Sequence, residues 1–230
     1  MSDDPTGLGP AMIKESLQEL MSTAFGAWTP KDGCTDAEVT TAVDRLGISL
    51  PDALHDYYAA AGRHPQLMGM SSQQHTFWVS GPEDLNVEDG HLVFSGYHRG
   101  TAQLSVRPDD FGWPDPRVRG RREPGGTWYS ESRRLSSFLI NVAGMQAVES
   151  LPHQATCRIR ERQLGIIESV LGYLGSRDMQ KGGHWLSFID PSMRIVASYS
   201  YLTETLRVAA VDPTALETLH ERSGWPLEPA

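Results

Sequence analysis

Twice between His75 and Val211 the chain abandons helical spacing for short β-prone runs, and this alternation limits the folds open to it. The first set is His75 to Ser80, His91 to His98 and Thr101 to Arg107, each rich in aromatic and β-branched residues. Turn-formers separate them, namely Gly81-Pro82-Glu83-Asp84, Glu88-Asp89-Gly90 and Arg99-Gly100, and connections this short suit antiparallel neighbours. The second set is Trp185 to Ile189, Arg194 to Tyr201 and Glu204 to Val211, with a turn at Asp190-Pro191-Ser192. A proline-containing loop from Pro108 to Tyr129 follows the first set. Leu135, Phe138, Leu139 and Val142 then predict a helix to about Ser150, and Leu164, Ile167, Val170, Leu171 and Leu174 predict another ending near Gly175.

Helical patterns occupy both ends. Ile13, Leu17, Leu20 and Met21 share one face of a helix predicted over Ala11 to Ala24. Thr35-Asp36-Ala37-Glu38 has the form of a capping box, in which hydroxyl and carboxylate each bond an otherwise orphan amide. The helix it opens carries Val39, Ala42, Val43 and Leu46 inward and stops at Gly47, where a left-handed residue is wanted. Pro51 suits the first turn of the next, which Gly62 ends, and Asp212-Pro213 opens a last one that closes at Ser223-Gly224. The order of helices, strands, helices, strands and helix predicts an α+β fold, with a largely antiparallel (mixed) sheet covered by helices on one side. One domain is expected over 36–230, preceded by a helical extension and loop over 1–35.

Chemistry-bearing motifs are scarce. The net charge is −9 and the pI about 5.3, a poor basis for neutralising phosphates, so a basic protein partner is expected and direct nucleic-acid binding is not. No apolar stretch approaches the roughly 18 residues of a membrane helix, and Cys34 and Cys157 form no disulfide framework, so a cytoplasmic protein is expected. No glycine-rich turn joins a strand to a helix, and no Gly-x-Ser-x-Gly occurs. His153 and Cys157 could share a helical face, but further zinc ligands are missing. The pairs Glu83-Asp84, Glu88-Asp89 and Asp109-Asp110 sit in turns, where carboxylates are solvated; general-acid work would require one buried in a cleft. Arg117, Arg119, Arg121 and Arg122 alternate as on an exposed edge strand kept from aggregating by charge. No catalytic residue, metal, cofactor or small-molecule ligand is expected.

From Asp36 to Val148 an ordered set of motifs resembles the SUKH superfamily. Leu46-Gly47, Leu50-Pro51-Asp52-Ala53-Leu54, Tyr57-Tyr58 and Gly62 resemble its opening helices, and Pro82-Glu83-Asp84-Leu85 the segment before its central hairpin. His91-Leu92-Val93-Phe94, Leu104-Ser105-Val106 and Asp109-Asp110 are similar to its hairpin strands. Asp115-Pro116-Arg117-Val118 looks like its Asp-Pro-Pro-Val turn, and Gly126-Thr127-Trp128-Tyr129 with Leu135-Ser136-Ser137-Phe138-Leu139 resembles its Trp-bearing strand and Ser-started helix. The chain departs from the pattern at Ser95 to Gly100, at Arg117 where a second proline is common, and at Gln103 to Val106, which lack the usual Trp.

The resemblance implies a fold without catalytic residues, used by bacterial members as immunity proteins that cap a toxin, often a nuclease, and by fungal relatives in regulating cell-wall assembly. The loop Asp109-Asp110-Phe111-Gly112-Trp113, with Glu83 and Asp84, is the expected partner-binding set, since acid beside aromatic anchors suits a basic surface. The alternative for Phe111 and Trp113 is burial beneath the loop. Two other functions stay open: a regulatory or scaffold module of the same fold, and a hydrolase, which a buried carboxylate of raised pKa would favour.

Overall fold

A computed structural model of the chain describes residues 11–69, 76–97, 102–175 and 184–230. The expected Arg99-Gly100 connection and the ends of neighbouring strands at His75, His98 and Thr101 lie outside them. Local chemistry sets the helix ends. In α2 (Asp36–Leu46) the Glu38 carboxylate accepts the Thr35 N–H at 2.7 Å while Glu38 N–H donates to the Thr35 hydroxyl, and Gly47 closes the helix at φ 66°. In the last helix, α6 (Pro213–Ser223), Asp212 accepts the Thr214 N–H at 2.9 Å and Gly224 stands at φ 67°.

Twelve strands among the described residues form two sheets, not one, and every pairing is antiparallel. The first sheet runs β1 (Phe77–Val79), β3 (His91–Tyr97), β4 (Gln103–Val106), β5 (Val118–Arg121), β6 (Tyr129–Ser132), with β2 (Asn86–Glu88) also on β3. The second runs β12 (Glu228–Pro229), β7 (His153–Arg158), β11 (Thr205–Ala210), β10 (Ile195–Ser200), β9 (Trp185–Asp190), β8 (Gly172–Tyr173).

Helix α4 (Leu135–Ser150) lies between the sheets and is buried on every face from Leu135 to Val148, as a helix apolar all round must be. One continuous core joins Phe94, Leu104 and Val106 of the first sheet to Leu139 and Val142 of α4 and to Ile189, Val196 and Ala209 of the second. Helices α1 (Ala11–Ala24) and α3 (Asp52–Ala61) belong to the same layer through Leu17, Leu20, Leu54 and Tyr57, and Arg194 donates to the Thr23 carbonyl at 3.0 Å at the C-terminal end of α1. The period of two sends Leu186, Phe188, Ile195, Tyr199, Leu206 and Val208 to the opposite face of the second sheet. There α5 (Leu164–Val170) and α6 cover them with Ile167 and Leu219, joined by Trp225. Helices thus lie on both faces of the second sheet rather than on one side of a single sheet.

Three local expectations change. The predicted helix from Leu164 stops at Val170, and Leu171 is extended (φ −119°, ψ 139°). Ile167, Leu171 and Leu174 stay buried across this break, which is why their spacing imitates a longer helix. The proline-rich loop contains β5. His153 and Cys157 stand in β7, where four residue steps along the strand set them roughly 13 Å apart, too far to share one ion.

Candidate protein-binding surface

The segment Asp109 to Trp113 projects from the end of β4 through a run of short turns. Asp110 N–H donates to the Arg107 carbonyl at 3.0 Å, Phe111 N–H to Pro108 at 3.2 Å and Trp113 N–H to Asp110 at 3.0 Å. This winding sends the two aromatic rings apart. Phe111 packs against the main core, whereas Trp113 is 59% exposed. Asp109 is exposed and pairs with Arg107 at 2.8 Å, and Asp110 is half-buried.

Both helix starts behind the loop depend on it. Helix N-termini leave amides without intrahelical partners. Pro114 C=O accepts the Ala53 N–H of α3 at 3.0 Å, and Pro116 C=O accepts the Leu135 N–H of α4 at 2.8 Å. Asp115 accepts the Ser136 N–H at 2.8 Å and its hydroxyl at 2.7 Å, serving α4 as a cap that Arg134, at the N-cap position, does not provide. Trp113 therefore rides on a segment fixed at two helix ends.

Glu83 and Asp84 are exposed in the turn before β2, which is clamped to α2 by Arg45 donating to the carbonyls of Pro82 at 3.1 Å and Leu85 at 2.9 Å. Pro108 instead stands over Gly90, at the turn that follows β2. The two acidic pairs thus sit at opposite ends of β2 and do not form one cluster.

What the sequence does not disclose is the polar network on the outer face of the first sheet. Strand β5 lies between β4 and β6, so the arginine run is not an edge, and the Arg121 side chain is only 1% exposed. Its Nε donates to Gln103 Oε1 at 2.6 Å, Nη1 to Asp89 at 2.8 Å and Nη2 to Glu88, while its guanidinium stacks 4.5 Å from the Trp128 ring centre. The other partner of Trp128 is His91, stacked at 4.4 Å and 14°. Burial first, then the guanidinium groups of Arg107, Arg121 and Arg119, hold the His91 imidazole below its usual pKa. The one sequence signal for this site is the period-two spacing of Arg119 and Arg121 followed by a Trp. Its carboxylates, Glu88 and Asp89, bind the cation instead of standing apart as a solvated turn.

His91 Nδ1 lies 3.1 Å from the Ser105 hydroxyl, a nucleophile-and-base pairing in outline, but Ser105 has no exposed surface and a substrate could not reach its oxygen. The Arg121 charge is met by two carboxylates rather than offered outward. No helix among the described residues is long and apolar enough to cross a membrane. In comparisons with known proteins the chain matches no family model, no curated protein and no solved structure.

Proposed function

We propose that this chain is a non-enzymatic protein-binding module, and that it serves as an immunity protein of the SUKH type, neutralising a basic cognate toxin, a nuclease in the favoured case, by stoichiometric binding in the cytoplasm. The observation that carries this reading is Trp113, 59% exposed on a segment fixed to the starts of α3 and α4, with Asp109 and Asp110 beside it. An anchor held in place before binding loses little conformational freedom on association, and tryptophans are the residues that most often dominate interface energetics. The net charge of −9 steers a basic partner toward it.

The test is co-expression with the toxin encoded beside the gene, followed by isolation of the complex. Protection and a stable complex are expected, with an association rate that falls as salt rises. Trp113→Ala should weaken the complex by about 2 kcal/mol or more while leaving the melting temperature unchanged, because the ring contacts mainly solvent in the free protein. The absence of both protection and a complex would refute the immunity role. A complex indifferent to Trp113→Ala would move the interface elsewhere.

A further inference from the structure

Strand β7 is paired along its whole length on one side and only in part on the other. Its residues from His153 to Arg158 all match β11. On the outer side β12 matches only Glu228 with Thr156 and Pro229 with Ala155, and the Ala230 N–H donates to the Gln154 carbonyl at 3.2 Å. That bond fixes the alternation: the backbone groups of Gln154, Thr156 and Arg158 point outward, and those of Ala155 and Cys157 point toward β11. Pro229 therefore stands where the ladder needs no N–H, which is why a proline is tolerated there.

The hold of β12 on this edge is slight. Trp225 is buried, and its carbonyl accepts a hydrogen bond from His220 Nδ1 at 2.5 Å. Beyond that anchor Leu227 is half-buried, while Glu228, Pro229 and Ala230 are exposed. The Leu227 N–H turns back to the Trp225 carbonyl at 2.9 Å, so the segment joins β7 only after Leu227 and does not pair with Arg158, itself exposed at that end of the strand. A strand whose ladder is partly open is a template for another chain.

We propose that the outer edge of β7, over residues 154–158, is a strand-addition site for an extended segment of a partner protein, which displaces residues 228–230 while Trp225 keeps its place. The incoming strand runs antiparallel to β7 and bonds three outward positions, Gln154, Thr156 and Arg158, where the resident bonds the first two. It carries an acidic residue opposite Arg158, since opposite charges facing each other across strands stabilise the pair. A second copy of this chain has no such advantage, because its own residues 228–230 would make only the bonds already present. The site belongs to the second sheet, whereas Trp113 stands between two strands of the first, so its test does not depend on the immunity reading.

Hydrogen exchange and peptide binding test this on the full chain labelled with ¹⁵N. The Thr156 amide should exchange at least about tenfold faster than those of Ala155 and Cys157, because it is freed whenever residues 228–230 lift away. The acetylated, amidated peptide Gly-Glu-Val-Thr-Val-Thr-Lys sets its glutamate opposite Arg158. It should give saturable shifts at Thr156 and Arg158 and move the Ala230 amide to an unstructured position. Replacing its first threonine by proline removes the N–H that faces Thr156 and should weaken binding at least about tenfold. Glu228→Pro removes the matching N–H from the resident and should tighten binding of the unaltered peptide about fivefold. Glu228 is exposed, and a melting curve checks that the variant folds. Shifts confined to Glu228→Pro also support the site, since they appear once the resident is loosened. The proposal is overturned if the Thr156 amide is protected as strongly as its two neighbours, if neither protein gives saturable shifts, or if the proline peptide binds equally. Sedimentation covers self-association: a dimer that forms on concentration with shifts at Thr156 and Ala230 would assign the edge to a second copy and overturn the partner reading.

Discussion

Removing the carboxylates around Arg121 should harm the protein more than removing Arg121 itself. The guanidinium is 1% exposed, whereas the Glu88 side chain is 33% and the Asp89 side chain 67% exposed. In Glu88→Ala/Asp89→Ala the cation is left in the sheet with Gln103 and the Trp128 ring as its remaining partners, and stranding a buried charge costs about 3–5 kcal/mol. In Arg121→Met the carboxylates turn to water they already touch and the thioether fills part of the space against Trp128. The loss is then chiefly hydrogen bonds that water replaces, about 1–2 kcal/mol. For a chain of this length 1 kcal/mol moves the melting temperature by about 2–4 °C, so the double variant should fall by roughly 6–20 °C and Arg121→Met by roughly 2–8 °C. Urea and thermal unfolding measure both. The deciding protein is the triple variant Glu88→Ala/Asp89→Ala/Arg121→Met, which also lacks the contacts of Arg121 with Gln103 and Trp128 but has no stranded cation, and should be the more stable of the two. If the triple variant is less stable than the double, the stranded-charge argument is wrong.

Two further predictions concern the helices. Gly144→Ala places a Cβ about 2.4 Å from the Ser187 hydroxyl and 2.7 Å from its Cβ, so α4 and β9 must separate; a loss of about 1–3 kcal/mol in urea unfolding is expected, and Ser187→Gly should restore part of it. The hydrogen bond from Arg63, followed by the N–H and hydroxyl of Thr35, lowers the Glu38 pKa from its ordinary value near 4.5 to about 2. A depressed carboxylate stabilises the fold fully above its unfolded value and loses that contribution as pH falls through its folded one. The melting temperatures of wild type and Glu38→Gln should therefore differ at pH 7 and converge between about pH 4.5 and 2, and a gap that stays constant over that range would refute the linkage.

The helix ends are legible in the sequence because their causes are local: Thr35 and Glu38, Gly47, Asp212 and Gly224 each act within a few residues of the bond they make or the backbone angle they adopt. The division into two sheets is not, because pairing β7 with β11 joins residues that other strands separate, and no spacing within either strand names its neighbour. Strand β7 is further hidden by having only Ala155 and Cys157 as its buried alternating pair. Arg121 misleads for a related reason. An arginine at every second position marks a strand face, but whether that face is wet depends on Trp128 returning over it and on Glu88 and Asp89 arriving from another turn. The loop at Trp113 does carry a readable clue. Helix α4 begins after Arg134, which makes no side-chain cap, so its first amides must find an acceptor elsewhere in the chain. Asp115, between two prolines, is that acceptor. A helix start without a local cap thus points to a distant segment held against it, and here that segment holds the exposed tryptophan in place.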